Sequence, residues 1–131
     1  MKKHIEVVAA IIRKDNKVFC AQRADKGELA KKWEFPGGKI EVGETHQQAL
    51  IREIKEELNA DIVVNDFLLT VNHEYQTFYL TMHCYECVVV SGELTINEHL
   101  DSKWLMIEEM YEYDFAQADM PVINHMLVDN K

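Results

Sequence analysis

The 131-residue sequence predicts an α/β protein, an α/β/α sandwich in which helices cover both faces of a mixed β-sheet. Three observations support this prediction: an apolar, β-rich run over Ile5–Arg13, an amphipathic helical pattern over Thr45–Leu58, and further β-rich segments after that helix. The length suits one domain, and the sequence contains no repeat or Pro/Ser-rich linker. We therefore expect a single domain over residues 1–131.

The first strand is followed by turn chemistry at Lys14–Lys17 and by a predicted partner strand over Val18–Arg23. The segment Ala24–Lys32 is polar and is expected to be a loop. Further elements are predicted after the helix: strands over Asp61–Thr70, Glu74–Val90 and Ser102–Ile107, a helical turn at Glu108–Tyr113, and a last helix over Pro121–Val128.

The Thr45–Leu58 helix has the clearest local signals. Thr45 followed by Gln48 is a capping-box pattern, and Asn59 stands where a left-handed C-terminal residue is favoured. The expected buried stripe consists of Leu50, Ile51, Ile54 and Leu58.

Charge and hydropathy exclude several functional classes. The 14 basic and 23 acidic residues give a net charge of −9, which argues against a broad surface for nucleic-acid polymers. The longest apolar run, Val7–Ile12, is far shorter than the ~20 residues of a membrane helix, and no signal-peptide pattern is present. A small phosphorylated substrate remains compatible with this charge if a divalent metal supplies positive charge.

The cysteines and histidines do not predict a metal site. Three cysteines suit a reducing compartment, so we expect a cytoplasmic protein. Cys84 and Cys87 spell C-x-x-C, but residues three apart on a strand face opposite ways, which favours a structural role. No spacing suggests a shared metal among the six histidines, His4, His46, His73, His83, His99 and His125.

Three glutamates of the predicted helix break local rules of helix stability. At 100° per residue, Glu53, Glu56 and Glu57 fall on one face, roughly 80–120° around from the apolar stripe. Glu53 and Glu57 are like charges four residues apart, and all three lie near the C-terminus, where the macrodipole disfavours anions. Two interpretations are open here: a solvated acidic face, or a functional site.

The upstream segment Pro36-Gly37-Gly38 favours the functional interpretation. Paired glycines allow a backbone to take positive φ and to expose its carbonyls and amides at close range. A loop carbonyl beside converging carboxylates forms an all-oxygen site, which suits Mg²⁺ or Mn²⁺ better than zinc.

These residues resemble the Nudix box, written as G, five residues, E, seven residues, R-E-U-x-E-E-x-G-U, with U apolar. Gly38, Glu44 and the segment 52–57 match it in spacing and in every charged position. Asn59 replaces the last glycine and Ala60 occupies the last apolar position. Because asparagine tolerates the left-handed conformation, we expect this departure to be harmless.

The resemblance extends over essentially the whole chain to the MutT branch of nucleoside triphosphate pyrophosphohydrolases. It is carried by the segments 5–12 (I-E-V-V-A-A-I-I), 21–23 (A-Q-R), 33–39 (W-E-F-P-G-G-K) and 115–123 (F-A-Q-A-D-M-P-V-I). It implies the Nudix fold and a Mg²⁺-dependent enzyme, with Mn²⁺ as an alternative ion, that cleanses nucleotide pools. Water would attack the β-phosphorus of a small-molecule triphosphate and release monophosphate and pyrophosphate. We expect a monomer or homodimer with no nucleic-acid-polymer or membrane partner.

The resemblance also implies roles for individual residues. Glu53, Glu56, Glu57 and the Gly37 carbonyl would hold metal, with Glu53 as the general base. Arg52 would orient these carboxylates, and Glu44 would secure the junction between loop and helix. Glu98 matches a metal-binding or base-like carboxylate, although from the residues alone it is one acid among Glu93, Glu98 and Asp101. Arg23 and Lys39 lie where the family binds phosphates, and Gly38 is a further predicted substrate-binding residue.

Base specificity leaves alternatives open. Asp119 stands where the 8-oxoguanine-specific pattern has a base-reading asparagine, but it also suits the start of the last helix. Phe35, Tyr75 and Phe78 are candidates for base stacking, and Phe78 replaces an expected basic residue. An oxidised purine such as 8-oxo-dGTP and a cytidine nucleotide are the leading substrates. The rival functions are removal of pyrophosphate from RNA 5′ ends, disfavoured by the net charge, and non-catalytic nucleotide sensing, disfavoured by the intact box carboxylates.

Overall fold

The computed structural model describes residues 2–129, which form seven strands, two α-helices and two 3-10 turns. The strands are β1 (Lys3–Lys14), β2 (Lys17–Gln22), β3 (Trp33–Glu34), β4 (Gly37–Lys39), β5 (Asp61–Glu74), β6 (Phe78–Ser91) and β7 (Asp101–Leu105). The α-helices are α1 (His46–Leu58) and α2 (Met120–Asp129), and the 3-10 turns span Ile107–Glu112 and Gln117–Asp119.

The sheet is mixed and open, as predicted. Strand β1 pairs in parallel with β6 and antiparallel with β2 and β4. Strand β5 extends the sheet antiparallel to β6, while β3 and β7 pair with β2. The principal strand order is therefore β3-β2-β1-β6-β5, with β4 lying against β1 next to α1.

Two separate cores fill the two faces of the sheet, which confirms the predicted sandwich. Side chains of β1 alternate between them: Val8, Ala10 and Ile12 pack with α1, whereas Ala9 and Ile11 pack on the side of α2. Cys84 and Cys87 lie in opposite cores, so the predicted divergence of their sulfurs is confirmed. Cys20 and these two cysteines are free and buried, and burial raises the pKa of all three thiols.

The predicted signals at the ends of α1 are confirmed. The Gln48 N–H donates to Thr45 Oγ1 at 3.1 Å, and the Thr45 N–H donates to Gln48 Oε1 at 2.9 Å. Asn59 adopts the left-handed conformation, with φ 55° and ψ 38°. Its N–H donates to the Lys55 carbonyl, so asparagine does what the last glycine of the box would do.

One prediction for the buried stripe of α1 is wrong. Leu50, Ile54 and Leu58 are fully buried, but Ile51 is 41% exposed and Ala49 is buried instead. On a helical wheel Ile51 lies about 100° from Leu50 on one side, and Ala49 about 100° on the other. The buried arc extends toward Ala49 and Glu53, because Glu53 packs closely against Gly38 of β4.

The boundary between the two longest strands also differs from the prediction. Strand β5 continues to Glu74, and β6 begins only at Phe78, after a turn in which the Tyr75 N–H donates to the Phe78 carbonyl. The Glu28 carboxylate accepts hydrogen bonds from the N–H groups of Gln76 and Thr77 at 2.7 and 3.0 Å. No local signal predicts this turn, since Glu28 lies 48 positions before Gln76.

The loop predicted over Ala24–Lys32 has no strand or α-helix, as expected. Among the described residues, no helix is long and apolar enough to cross a membrane.

Candidate active site

A cleft of about 1170 Å³ opens on the α2 side of the sheet, beside the C-terminal half of α1. Its floor includes Val7 and Ala9 of β1 and Met82 of β6. Most predicted site residues line it together: Arg23, Phe35, Gly37, Gly38, Lys39, Glu53, Glu56, Glu57, Tyr75, Phe78, Glu98 and Asp119. Arg52 and Glu44 do not line the cleft; they lie behind its carboxylates.

The two glycines of β4 allow close packing between β1, β4 and α1. A Cβ atom at Gly38 would lie 2.3 Å from the Glu53 carboxyl carbon, and one at Gly37 would lie 1.9 Å from the Val8 carbonyl oxygen. Positive φ occurs at three other glycines, so Gly37 and Gly38 do not use the conformational freedom that glycine allows. Space, rather than backbone conformation, requires glycine at both positions.

The Arg52 guanidinium organises the carboxylates from behind. It donates two hydrogen bonds to Glu44, Nε to Oε2 at 2.7 Å and Nη2 to Oε1 at 2.9 Å. It also donates to Glu53 at 2.9 Å, to Glu56 at 3.3 Å and to the Lys39 carbonyl at 3.0 Å. A bidentate arginine–carboxylate pair fixes the guanidinium plane, so Arg52 ties the β4 end, the following loop and α1 into one geometry.

The pKa of Glu44 is held at about 2 by the Arg52 hydrogen bonds and by the Glu41 N–H. A carboxyl group whose pKa is lowered in the folded protein stabilises the fold at pH values above its ordinary pKa of 4.5. This stabilisation is lost as the pH falls from 4.5 toward about 2. We therefore expect the difference in free energy of unfolding between wild type and Glu44→Gln to be largest near neutral pH. Urea unfolding at a series of pH values measures it, and a difference independent of pH contradicts this account of Glu44.

The three box glutamates differ in exposure. Glu53 is 14% exposed in its side chain and Glu56 is 60% exposed. Burial and the adjacent Glu53 carboxylate raise the pKa of Glu57 to about 7. The interpretation of a solvated acidic face therefore holds for Glu56 alone.

These groups fit a divalent cation. The donors are carboxylate and main-chain oxygens, which Mg²⁺ and Mn²⁺ prefer, and the site contains no thiol or imidazole among the predicted ligands. Burial and, after it, the neighbouring Glu53 carboxylate raise the pKa of Glu57, and a bound cation would relieve the repulsion between the two carboxylates.

Two residues of the cleft were missed by the sequence analysis. Glu34 accepts a hydrogen bond from Arg23 Nη1 at 2.9 Å and contacts His99 Nε2 at 3.1 Å. The Glu34 carboxylate raises the pKa of His99, and His99 Nδ1 is buried without a partner among residues 2–129. Glu34 lies in the W-E-F-P-G-G-K segment, so its position could have identified it as a candidate site residue. Nothing in the sequence predicts its contact with His99.

The far end of the cleft is aromatic and holds one buried acid. Asp119 is 3% exposed, and burial raises the pKa of its carboxyl well above the ordinary value. Tyr75 accepts the Ala118 N–H at 2.8 Å and packs against Phe78 with ring centroids 5.0 Å apart. Phe35 is buried against Phe115. Phe78 is the least buried of the three predicted stacking residues.

The NUDIX domain profile matches residues 7–125. The chain belongs to the Nudix family. The CTP pyrophosphohydrolase of Escherichia coli K12 is 38% identical over 92% of this chain and 90% of its own length. An 8-oxo-dGTP diphosphatase of Proteus vulgaris is 40% identical over 72% of this chain and 85% of its own. The solution structure of a MutT protein from methicillin-resistant Staphylococcus aureus 252 superposes with a TM-score of 0.78 at 44% identity, covering 98% and 99% of the two chains.

As a Nudix hydrolase, the protein carries the whole box on one structural unit. The box runs through β4, the loop after it and α1, and Gly38 and Glu53 are in direct contact. Arg52 joins Glu44 to Glu53 and Glu56, so four polar positions of the box form one connected network.

Proposed function

We propose that this Nudix hydrolase is a Mg²⁺-dependent nucleoside triphosphate pyrophosphohydrolase of the MutT type, which releases nucleoside monophosphate and pyrophosphate. One observation carries the proposal: the box carboxylates and a buried, aromatic-flanked acid occupy the same cleft. Such a cleft has one region for a metal-bound triphosphate and another for a base. We further propose that residues 1–131 act as one cytoplasmic domain, as a monomer or homodimer.

Glu53, Glu56, Glu57, Glu98 and the Gly37 carbonyl are the proposed metal ligands. A bound Mg²⁺ supplies Lewis-acid chemistry, lowering the pKa of water and neutralising phosphate oxygens. Glu98 is exposed at the cleft rim, on the loop before β7, and lies beside the half-buried His99.

The protein's own side chains then have distinct tasks. Glu53 is the proposed general base, since it is recessed in the cleft and its carboxylate is held by Arg52. Arg52 and Glu44 are positioning residues. Lys39 and Arg23 line the cleft with positive charge for the phosphates, and Glu34 holds the Arg23 guanidinium in place.

For the base, the burial of the Asp119 carboxyl group supports cytosine as the first candidate. Burial favours the neutral acid form of Asp119, which has one donor and one acceptor. Cytosine presents the matching pair, an acceptor at N3 and a donor at the N4 amine. Phe78, in place of a basic residue, offers a ring for stacking.

An 8-oxoguanine nucleotide is the second candidate, favoured by the relatives named 8-oxo-dGTP diphosphatase. An ionised Asp119 would accept two hydrogen bonds, from the N1–H and the N2 amine of the guanine ring. The two candidates therefore require different protonation states of one buried carboxyl group.

Two variants of Asp119 test its contact with the base. Asp119→Ala is expected to lower kcat/KM for the preferred triphosphate by about tenfold or more, because a two-bond contact to a base edge contributes about 1–3 kcal/mol. Asp119→Asn is expected to keep the preference, since an amide also has a donor beside an acceptor. Equal loss in both variants would assign recognition to the ionised carboxylate and favour guanine. Unchanged preference in both would show that Asp119 only supports the start of α2.

Product analysis in ¹⁸O-labelled water tests the reaction itself. Attack at the β-phosphorus puts the label into pyrophosphate and leaves the monophosphate unlabelled. Release of orthophosphate, or binding without any product, would contradict the proposal; the second result is what a nucleotide sensor would give.

A further inference from the structure

Three potential metal ligands meet outside the active-site cleft. One ligand atom from each of Glu6, His46 and His83 lies within 4.8 Å of the other two. His83 Nε2 is 2.7 Å from Glu6 Oε2, and the His46 and His83 rings stack with centroids 4.3 Å apart. The spacing of the histidines in the sequence suggested no shared metal, whereas the fold brings together two histidines that are distant in sequence.

The three side chains come from rigid parts of the fold. Glu6 is on β1, His83 is on the neighbouring parallel strand β6, and His46 is the first residue of α1. In the register of these strands Val8 lies opposite His83. Glu6 lies two residues before Val8 on β1, so its side chain is on the same face of the sheet as those of Val8 and His83. No loop has to become ordered for the three groups to meet.

The cluster lies outside the cleft, on the face of the sheet that α1 covers. Ile5, Val7 and Met82 line the cleft, and their strand neighbours Glu6 and His83 therefore point to the α1 side. None of the three ligands lines the cleft.

Both imidazoles have a second contact that orients the ring. Thr70 Oγ1 lies 2.8 Å from His83 Nδ1, and the Tyr85 hydroxyl lies 2.8 Å from His46 Nδ1. With both Nδ1 atoms engaged, Nε2 of each ring remains for a ligand. This pattern, in which the other ring nitrogen is hydrogen-bonded, is typical of metal-binding histidines.

We propose that Glu6, His46 and His83 form a second metal site, one that takes a borderline transition ion such as Zn²⁺ rather than Mg²⁺. Two imidazoles and one carboxylate suit Zn²⁺, and the exposed side of the cluster leaves a position for water. In a tetrahedral site the ligand atoms stand about 3.3 Å apart, so small side-chain rotations bring the cluster to ligand distances. Metal binding at His83 Nε2 would require the tautomer with the proton on Nδ1, and that N–H would donate a hydrogen bond to Thr70 Oγ1.

A plain surface ion pair explains less of the arrangement. Such an ion pair needs only Glu6 and His83. It does not explain why His46 stacks on His83 while Tyr85 orients the His46 ring.

The test is a Zn²⁺ titration of the whole protein with Mg²⁺ in large excess, which keeps the box carboxylates occupied by Mg²⁺. Two-bond ¹H–¹⁵N spectra of the histidine rings report the ligands directly. We expect Zn²⁺ to shift the Nε2 signals of His46 and His83 only. Affinity should fall at least ~10-fold in His46→Gln, in His83→Gln and in Tyr85→Phe, the last because a lost second contact weakens metal binding.

His125→Gln is the matched control, because His125 pairs with Asp129 on α2 and lies outside the cluster. It should bind Zn²⁺ as wild type does, and all four variants should keep Mg²⁺-dependent hydrolysis, so failure of this proposal is separate from failure of the proposed function. The absence of ring-nitrogen shifts, or equal Zn²⁺ affinity in wild type, His46→Gln and His83→Gln, would overturn the second site.

Discussion

Replacing Glu53 with glutamine is expected to lower turnover by ~10²-fold or more while the fold is retained, because the variant loses a general base and a metal ligand in one step. Glutamine keeps the shape of the side chain and an oxygen that accepts the Arg52 hydrogen bond. It also removes the charge that crowds Glu57, so the free energy of unfolding without metal should stay equal to that of wild type or rise. Steady-state kinetics and urea unfolding measure the two effects.

Glu93→Gln is the control for charge alone. Glu93 is exposed, lies on the loop after β6 and does not line the cleft. The Glu93→Gln variant should retain wild-type turnover. Near-normal activity in Glu53→Gln would contradict the proposed role of Glu53 as general base and metal ligand. An equal loss of turnover in Glu93→Gln would mean that net charge, rather than the position of the carboxylate, controls the rate.

The adjacent glycines are expected to respond differently to alanine. In Gly38→Ala the new methyl group meets the end of the Glu53 side chain, which can rotate away. The protein should therefore stay folded, while turnover falls on the order of 10²-fold because a reacting group is displaced by about 1 Å. In Gly37→Ala the methyl group meets the Val8 main chain, which β1 holds in the centre of the sheet. That variant should lose about 3 kcal/mol of stability.

Thermal unfolding and kinetics of the two alanine variants separate these outcomes. Each variant serves as the other's control, since the substitution is the same and the positions are consecutive. If Gly38→Ala is as unstable as Gly37→Ala, the close approach of Glu53 to β4 is not the reason for glycine at position 38.

The features predicted correctly from the sequence are those with a local cause. Thr45 and Gln48 cap α1 through contacts three residues apart, and Asn59 ends it through its own backbone conformation. The alternation of β1 between two cores follows from strand geometry. Ile51 shows the limit of this reasoning: the periodic pattern includes it, but the width and direction of the buried arc depend on which strands lie beneath the helix.

The site residues that were missed are joined by contacts far apart in sequence. Glu34 and His99 are 65 positions apart, and Glu6 and His83 are 77 positions apart. Strand pairing and register bring such residues together, and neither is readable from spacing. The box residues were predictable because a strand, a loop and one helix hold them within a short segment.

The most direct test of the central claim is Mg²⁺-dependent pyrophosphate release from a panel of CTP, dCTP, 8-oxo-dGTP, dGTP and triphosphorylated RNA. We predict release from free nucleotides, with the highest kcat/KM for a cytidine or 8-oxoguanine nucleotide and a large loss in Glu53→Gln. Release from RNA alone, or from none of the panel while Mg²⁺ is bound, would contradict the assignment of this cleft to nucleoside triphosphate hydrolysis.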